Sequence, residues 1–123
     1  MKHFDILIVD DEKRYADMLV RRLKLRGLTC KACYDGKAAI ETVMQAYFPL
    51  IILDLQLPDL YGTEVLIQIK QHRPETEVII LTGHGTAMDH AECMTHGAHS
   101  FMNKPLDIDR LLTIVDQIKE IER

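Results

Sequence analysis

A chain of 123 residues with 47% hydrophobic and 28% charged side chains has the length and balance of one ordinary globular domain, able to bury a single core without staples. Its 19 acidic and 15 basic side chains leave a net charge of -4, which speaks against a nucleic-acid-binding surface. No apolar run approaches a membrane span and no signal-peptide pattern opens the chain, so a cytoplasmic protein with no membrane partner is expected.

Phe4 to Val9 is nearly all apolar and meets Asp10-Asp11-Glu12 abruptly, as a buried strand would that delivers acids to its C-terminal end. A helix follows, with Ala16, Leu19, Val20 and Leu23 on one face and Gly27 as its stop signal. Thr29 to Tyr34 is a second strand, closed by Asp35-Gly36. It carries Cys30 and Cys33, a spacing that invites a redox or zinc reading. A reactive pair of that type needs a helix N-terminus, and a zinc site needs further ligands at finger-like spacing; neither is present. With Cys93 they read as reduced, structural thiols.

Ile40, Val43, Met44 and Tyr47 then repeat the helical stripe until Pro49 blocks it. Leu50 to Leu53 is a run of four apolar residues that ends on Asp54, with Pro58 and Gly62 at turn-like spacing. Such a run suits a strand covered on both faces, where a core carboxylate would be penalised. A third helix over Thr63 to Gln71 buries Val65, Leu66 and Ile69 and stops at His72-Arg73-Pro74. Glu77 to Thr82 is another strand, followed by Gly83-His84-Gly85. Thr86 caps a fourth helix expected to turn Ala87, Ala91 and Met94 inward and to close at Gly97. Ala98 to Asn103 is the fifth strand, ending at Lys104-Pro105, and Asp107 caps a last helix with Leu111, Ile114, Val115 and Ile118 buried.

Strand and helix alternate five times over short connections, with no internal repeat or linker. This predicts one doubly wound α/β domain over 1–123, a parallel sheet wrapped by helices. Ligands bind such sheets at the carboxyl ends of the strands. Those ends bring Asp10 and Asp11, Asp54, Thr82 and Lys104 to one edge. Three carboxylates together repel unless a cation neutralises them, and an oxygen-only anionic site suits Mg²⁺ with a phosphate. The lysine and hydroxyl supply donors for phosphoryl oxygens, so the inferred chemistry is phosphoryl transfer onto a carboxylate.

Four pieces, I-L-I-V-D-D-E, D-L-Q-L-P-D-L-Y-G, L-T-G-H-G and F-M-N-K-P, stand in an order and spacing that resembles the receiver domain of bacterial two-component response regulators over nearly the whole chain. The T-G-H-G piece looks like receivers of the enhancer-binding activator type. The resemblance implies a five-stranded, flavodoxin-like sheet of order 2-1-3-4-5 with five helices. It implies that Asp54 accepts a phosphoryl group from the phosphohistidine of a sensor histidine kinase or phosphotransfer protein. Asp11, Asp54 and the Gln56 backbone carbonyl would bind Mg²⁺ directly, with Asp10 acting through water. Lys104 would pair with the phosphoryl oxygens and Thr82 would be drawn to them, while Phe101 follows as a switch aromatic. A cis Lys104-Pro105 bond is a further expectation. Such a domain catalyses its own aspartyl phosphorylation and dephosphorylation without being a conventional enzyme. Its output passes through the face of the fourth helix, fifth strand and last helix, to an effector domain or downstream protein, or to a homodimer formed on phosphorylation. No effector domain is expected within 1–123.

The departures are a switch aromatic without a hydroxyl, and Gln56 and His84 at the two positions that modulate phosphoryl lifetime in the family. Gly83 leaves space beside the acceptor. Blander accounts exist for each residue: Asp10 and Asp11 as helix caps, Thr82 as a loop capper, Lys104 as a solvated charge and Phe101 as core. The histidines His84, His90, His96 and His99 fit a solvated face better than a metal site. A haloacid-dehalogenase-like phosphatase is the rival of another class, but it needs a second aspartate where this chain has Gln56. A phosphorylation-independent interaction module is the third reading.

Overall fold

The computed structural model describes residues 2–122, with side chains described over 3–120, so the two ends of the expected 1–123 domain lie outside the described residues. Five strands, β1 (Ile6–Val9), β2 (Cys30–Cys33), β3 (Leu50–Leu53), β4 (Glu77–Thr82) and β5 (Ser100–Asn103), form one sheet of order 2-1-3-4-5. Every pairing is parallel, with Val9 opposite both Cys33 and Leu53, and Thr82 opposite Asn103. Five helices alternate with them: α1 (Lys13–Lys24), α2 (Gly36–Gln45), α3 (Gly62–His72), α4 (Ala87–Thr95) and α5 (Ile108–Glu122). The expected flavodoxin-like architecture is present.

The period-2 geometry of the strands divides the core in two. Ile6, Ile8, Leu50, Ile52, Ile79 and Leu81 face α1 and α5, where Ala16, Leu19, Leu23, Leu111, Ile114, Val115 and Ile118 meet them. Leu7, Val9, Ile51, Leu53, Val78 and Ile80 face the other way, onto Ala39, Val43, Val65, Leu66 and Ile69. Central strands buried on both sides explain why they read as unbroken apolar runs. Cys30 and Cys33 fall on opposite faces of the sheet, in different core layers, so they cannot form a disulfide or share a ligand. Burial pushes the Cys30 thiol up to about 11 and raises Cys33 as well, which keeps both protonated.

Two helical stripes differ from expectation. In α2 the inward residues are Ala39 and Val43; Met44 is exposed, and Tyr47 has left the helix for a two-residue ladder in which Ala46–Tyr47 pairs with Lys2–His3. In α4, Ala87, Ala91 and Met94 are exposed and Cys93 is the buried side chain. The stripe is set by the α3 side of the sheet, and Cys93 points there. The strands are also shorter than the apolar runs, since Phe4, Thr29 and Ala98 lie outside the ladder. Gly27 and Gly97 close α1 and α4 in the left-handed region, at φ 83° and 94°.

Gly62 carries the tightest backbone approach near the sheet edge. A Cβ there would lie 2.5 Å from Leu55 Cα and 2.6 Å from the Asp54 carbonyl oxygen, and its N–H donates to the Leu55 carbonyl at 2.7 Å. By contrast, a Cβ on Gly83 would meet nothing closer than Lys104 Cδ at 4.0 Å. Gly62→Ala should therefore cost about 2–3 kcal/mol in urea unfolding, while Gly83→Ala changes stability by less than about 0.5 kcal/mol.

Candidate functional site

The carboxyl ends of β1, β3 and β4 open onto a cavity of about 240 Å³ lined by Asp11, Glu12, Asp54, Gln56, Thr82, Gly83, His84 and Lys104. Parallel order places them there: Asp54 follows β3, Asp10 follows β1 beside it, and Lys104 follows β5 one strand beyond Thr82. The backbone fixes these positions before any side chain acts. Asp54 N–H donates to the Val9 carbonyl, Asp10 N–H to the Cys33 carbonyl and Lys104 N–H to the Thr82 carbonyl, at 2.9–3.1 Å.

Lys104 is the hub. Its Nζ donates to Asp10 Oδ2 at 2.8 Å, Glu12 Oε1 at 2.7 Å and Asp54 Oδ2 at 3.1 Å. It also lies 5.0 Å from the ring centre of Tyr15, whose hydroxyl accepts the Leu106 N–H at 3.0 Å and so ties the loop after Lys104 to α1. Burial alone would lower the Lys104 pKa, but the hydrogen bonds from Asp10, Glu12 and Asp54 outweigh it and raise it, so the ammonium stays charged. Asp10 moves the other way from ordinary carboxylates. Burial raises it most, with the Asp54 charge adding to that, and the bonds from Lys104 and the Glu12 N–H compensate only in part. Glu12 is lowered by its bond to Lys104.

The acids did not go into capping. Helix α1 has Glu12 as its N-cap with no side-chain capping bond, and Asp10 Oδ1 instead accepts the Glu12 N–H at 2.9 Å, turned toward the site. Asp54 is 5% exposed; its Oδ1 accepts the Gln56 N–H at 3.3 Å. Thr82 is 1% exposed, with its Oγ1 accepting the His84 N–H at 3.4 Å. Among the described residues, the acidic side chains whose oxygens all lie within 4.8 Å of one another are Asp10, Glu12 and Asp54. Asp11 is exposed and lines the same cavity without joining that group. The donor set is oxygen only, anionic and open to solvent on one side, which fits a hard divalent cation such as Mg²⁺.

Glu12 and Tyr15 are the site residues that sequence reasoning passed over. The third acid of Asp10-Asp11-Glu12 was the available signal for the first; nothing in the sequence marked the second. Of the expected residues, the structure gathers Asp10, Asp54 and Lys104 into direct contact and places Thr82 and Gln56 on the cavity wall. Phe101 lies outside the cavity, half-buried, with its ring stacked on His90 at 4.9 Å and 9°. The Lys104–Pro105 peptide is cis. The loop after β3 is pinned to α2, where Asp59 accepts the N–H groups of Gly36 and Lys37 at 2.8 and 2.9 Å, on the first turn of that helix.

Comparison with known proteins follows the same outline. The model of the response regulator receiver domain matches residues 6–116. The response regulator ArlR of Staphylococcus aureus is 34% identical over 113 residues, which cover 92% of this chain and 51% of ArlR. The chain thus spans about half the length of the curated relatives it matches. Among solved structures, a CheY-like receiver domain protein of Methanospirillum hungatei JF-1 superposes with a TM-score of 0.89 at 28% identity, covering 99% of this chain and 97% of that one. The BeF3-activated DrrB receiver domain gives 0.84 at 29%, covering 98% and 99%.

Three carboxylates sharing one ammonium leave uncompensated negative charge, and the buried Asp10 bears most of its cost. Because folding raises its pKa, the ionised form opposes folding at neutral pH, and that cost fades as pH falls through the folded value. Asp10→Asn should stabilise the protein by about 1 kcal/mol in urea unfolding at pH 7 in EDTA, and the gain should shrink toward pH 4.

Proposed function

The chain belongs to the response regulator receiver domain family, and on that premise we propose that it is a switch of two-component signalling in which Asp54 is the phospho-acceptor. The observation that carries this reading is the placement of Asp54: a buried carboxylate at the end of a central strand, bonded to Lys104 and facing an open acidic cavity. An Asp54 oxygen attacks the phosphorus of a phosphohistidine; the O–P bond forms as the P–N bond breaks and the imidazole of the donor leaves. The β3 end holds the nucleophile rigidly, which removes orientational freedom before the reaction. Lys104 follows the negative charge. It starts on three carboxylates and can exchange Glu12 and Asp10 for the phosphoryl oxygens without leaving Asp54, so its charge is available where charge accumulates.

Asp10, Asp54 and Glu12 gather the oxygens that would hold Mg²⁺, and Asp11 and Gln56, whose backbone carbonyl is the other expected ligand, line the same cavity. When bound, the ion would neutralise the carboxylates and the incoming phosphate. Thr82 presents a buried hydroxyl at the cavity edge, where a phosphoryl group on Asp54 would draw it. Thr82 belongs to the strand that leads into α4, and Phe101 packs behind it, so its displacement would reach the α4, β5 and α5 face. A sensor histidine kinase or phosphotransfer protein is the proposed donor. An effector domain, a downstream protein or a second copy of the chain is the proposed recipient. A cytoplasmic location is proposed from membership of the receiver family; among the described residues no helix is long and apolar enough to cross a membrane.

The phosphatase rival lacks support at the position that matters. Two residues beyond Asp54 stands Gln56, whose amide does not titrate and so cannot serve as the general acid and base that the phosphatase needs. Incubation with acetyl phosphate and Mg²⁺ should add the mass of one phosphate to the intact chain and none to Asp54→Asn. An unchanged mass at every Mg²⁺ concentration would refute the acceptor role, and continuing turnover of a phosphomonoester would restore the phosphatase.

A further inference from the structure

Tyr61 precedes α3 as its N-cap, yet its side chain caps nothing. It reaches instead across to α4, where its hydroxyl donates to Asp89 Oδ1 at 2.9 Å. Its ring is about half exposed, so core packing does not account for its position. Burial of the hydroxyl and the bond to Asp89 push the phenol up to about 12. Asp89 is itself bound twice to Thr86: Oδ2 accepts the Thr86 N–H at 3.0 Å, and its own N–H donates to Thr86 Oγ1 at 3.1 Å. This reciprocal capping box makes Thr86 and Asp89 move as one piece.

Tyr61 is anchored at its other end to the acceptor loop. It forms an isolated antiparallel bridge with Gln56, two residues after Asp54, and the next residue, Gly62, is locked against the Asp54 carbonyl. One position further along α4, His90 stacks on Phe101, and Phe101 lies over Gly85, where any Cβ would strike its ring and stand 2.8 Å from Thr82 Cγ2. The first turn of α4 is thus held from two directions by adjacent residues. Only Cys93 of α4 is buried, so these contacts are a large part of what fixes it.

Resting on the phospho-acceptor reading above, we propose that Tyr61 is a positioning residue whose hydroxyl latches the first turn of α4 to the acceptor loop in the unphosphorylated protein. The latch opens when Thr82 is drawn toward a phosphoryl group on Asp54. The mechanical reasoning is short. Three residues separate Thr82 from Thr86, so a shift of Thr82 pulls Thr86, and the capping box carries Asp89 with it. Tyr61 cannot follow, because Gln56 and Gly62 hold it. A bond made in only one of two states biases the equilibrium by its own worth, so the latch opposes activation.

Beryllofluoride with Mg²⁺, a mimic of the aspartyl phosphate, tests this on the full chain. Tyr61→Phe removes the hydroxyl alone and should lower the half-saturating beryllofluoride concentration about three- to tenfold, as expected for one partly exposed hydrogen bond to a carboxylate. In wild type, the ¹³Cζ resonance of Tyr61, assigned by its absence in Y61F, should shift on saturation as the bond to Asp89 is lost. An equal or higher half-saturation in Y61F, or an unmoved resonance at saturation, overturns the latch while leaving Asp54 as acceptor. If wild type takes up no beryllofluoride, the acceptor reading fails, and the latch with it.

Discussion

The site depends on one electrostatic constraint: a single ammonium at the end of β5 balances three carboxylates delivered by two other segments. Lys104 bonds Asp10, Glu12 and Asp54 within 2.7–3.1 Å, and no second cation shares that contact among the described residues. The arrangement is under-neutralised by design. Its remaining negative charge favours a divalent cation, and its crowded lysine favours a ligand that brings oxygens of its own. A phosphoryl group held with a metal satisfies both conditions, whereas an apolar or cationic ligand satisfies neither.

That constraint is affordable because the sheet is built first. Residues Ile6 to Val9 and Leu50 to Leu53 are buried in full and paired in register, so Asp10 and Asp54 are forced into adjacency whatever they would prefer as free carboxylates. Hydrophobic burial along two central strands is large compared with the repulsion of a few charges at their ends. The locked contact of Gly62 with the Asp54 carbonyl extends the same rigidity into the loop after β3.

Most of this was legible in the chain because the signals were covalent or periodic. Unbroken apolar runs marked doubly covered strands, and the acid, hydroxyl and lysine that ended them marked one edge of a parallel sheet. What was not legible depended on side-chain direction across elements. Glu12 looked like part of a helix start, and only the folded position of Lys104, far away in sequence, makes it a site residue. The α4 stripe failed for a related reason. Ala87, Ala91 and Met94 form the stronger apolar arc and Cys93 lies on another, but the small thiol is what fits against α3. Met44 and Tyr47 failed because the chain leaves α2 at Ala46 to pair with Lys2–His3, a contact no local pattern announces.

The exposed arc of α4 and its single buried thiol have a common physical meaning. Helix α3 is held by Val65, Leu66 and Ile69 as well as by Gly62 and Thr63, so moving it would open a core. Helix α4 has one such anchor, and its side-chain ties to other elements are a phenol on a carboxylate and an imidazole stacked on a phenyl ring, with a capping box holding its own first turn together. Polar contacts at a partly wet surface contribute roughly 1 kcal/mol each and can be exchanged for water or for one another, unlike buried methylenes. A helix attached in this way can change position for a few kcal/mol, the range that a charged group arriving at Asp54 and pulling on Thr82 can supply. The weak hydrophobic stripe of α4, with Cys93 as its one buried side chain, is therefore the property on which the proposed switch relies.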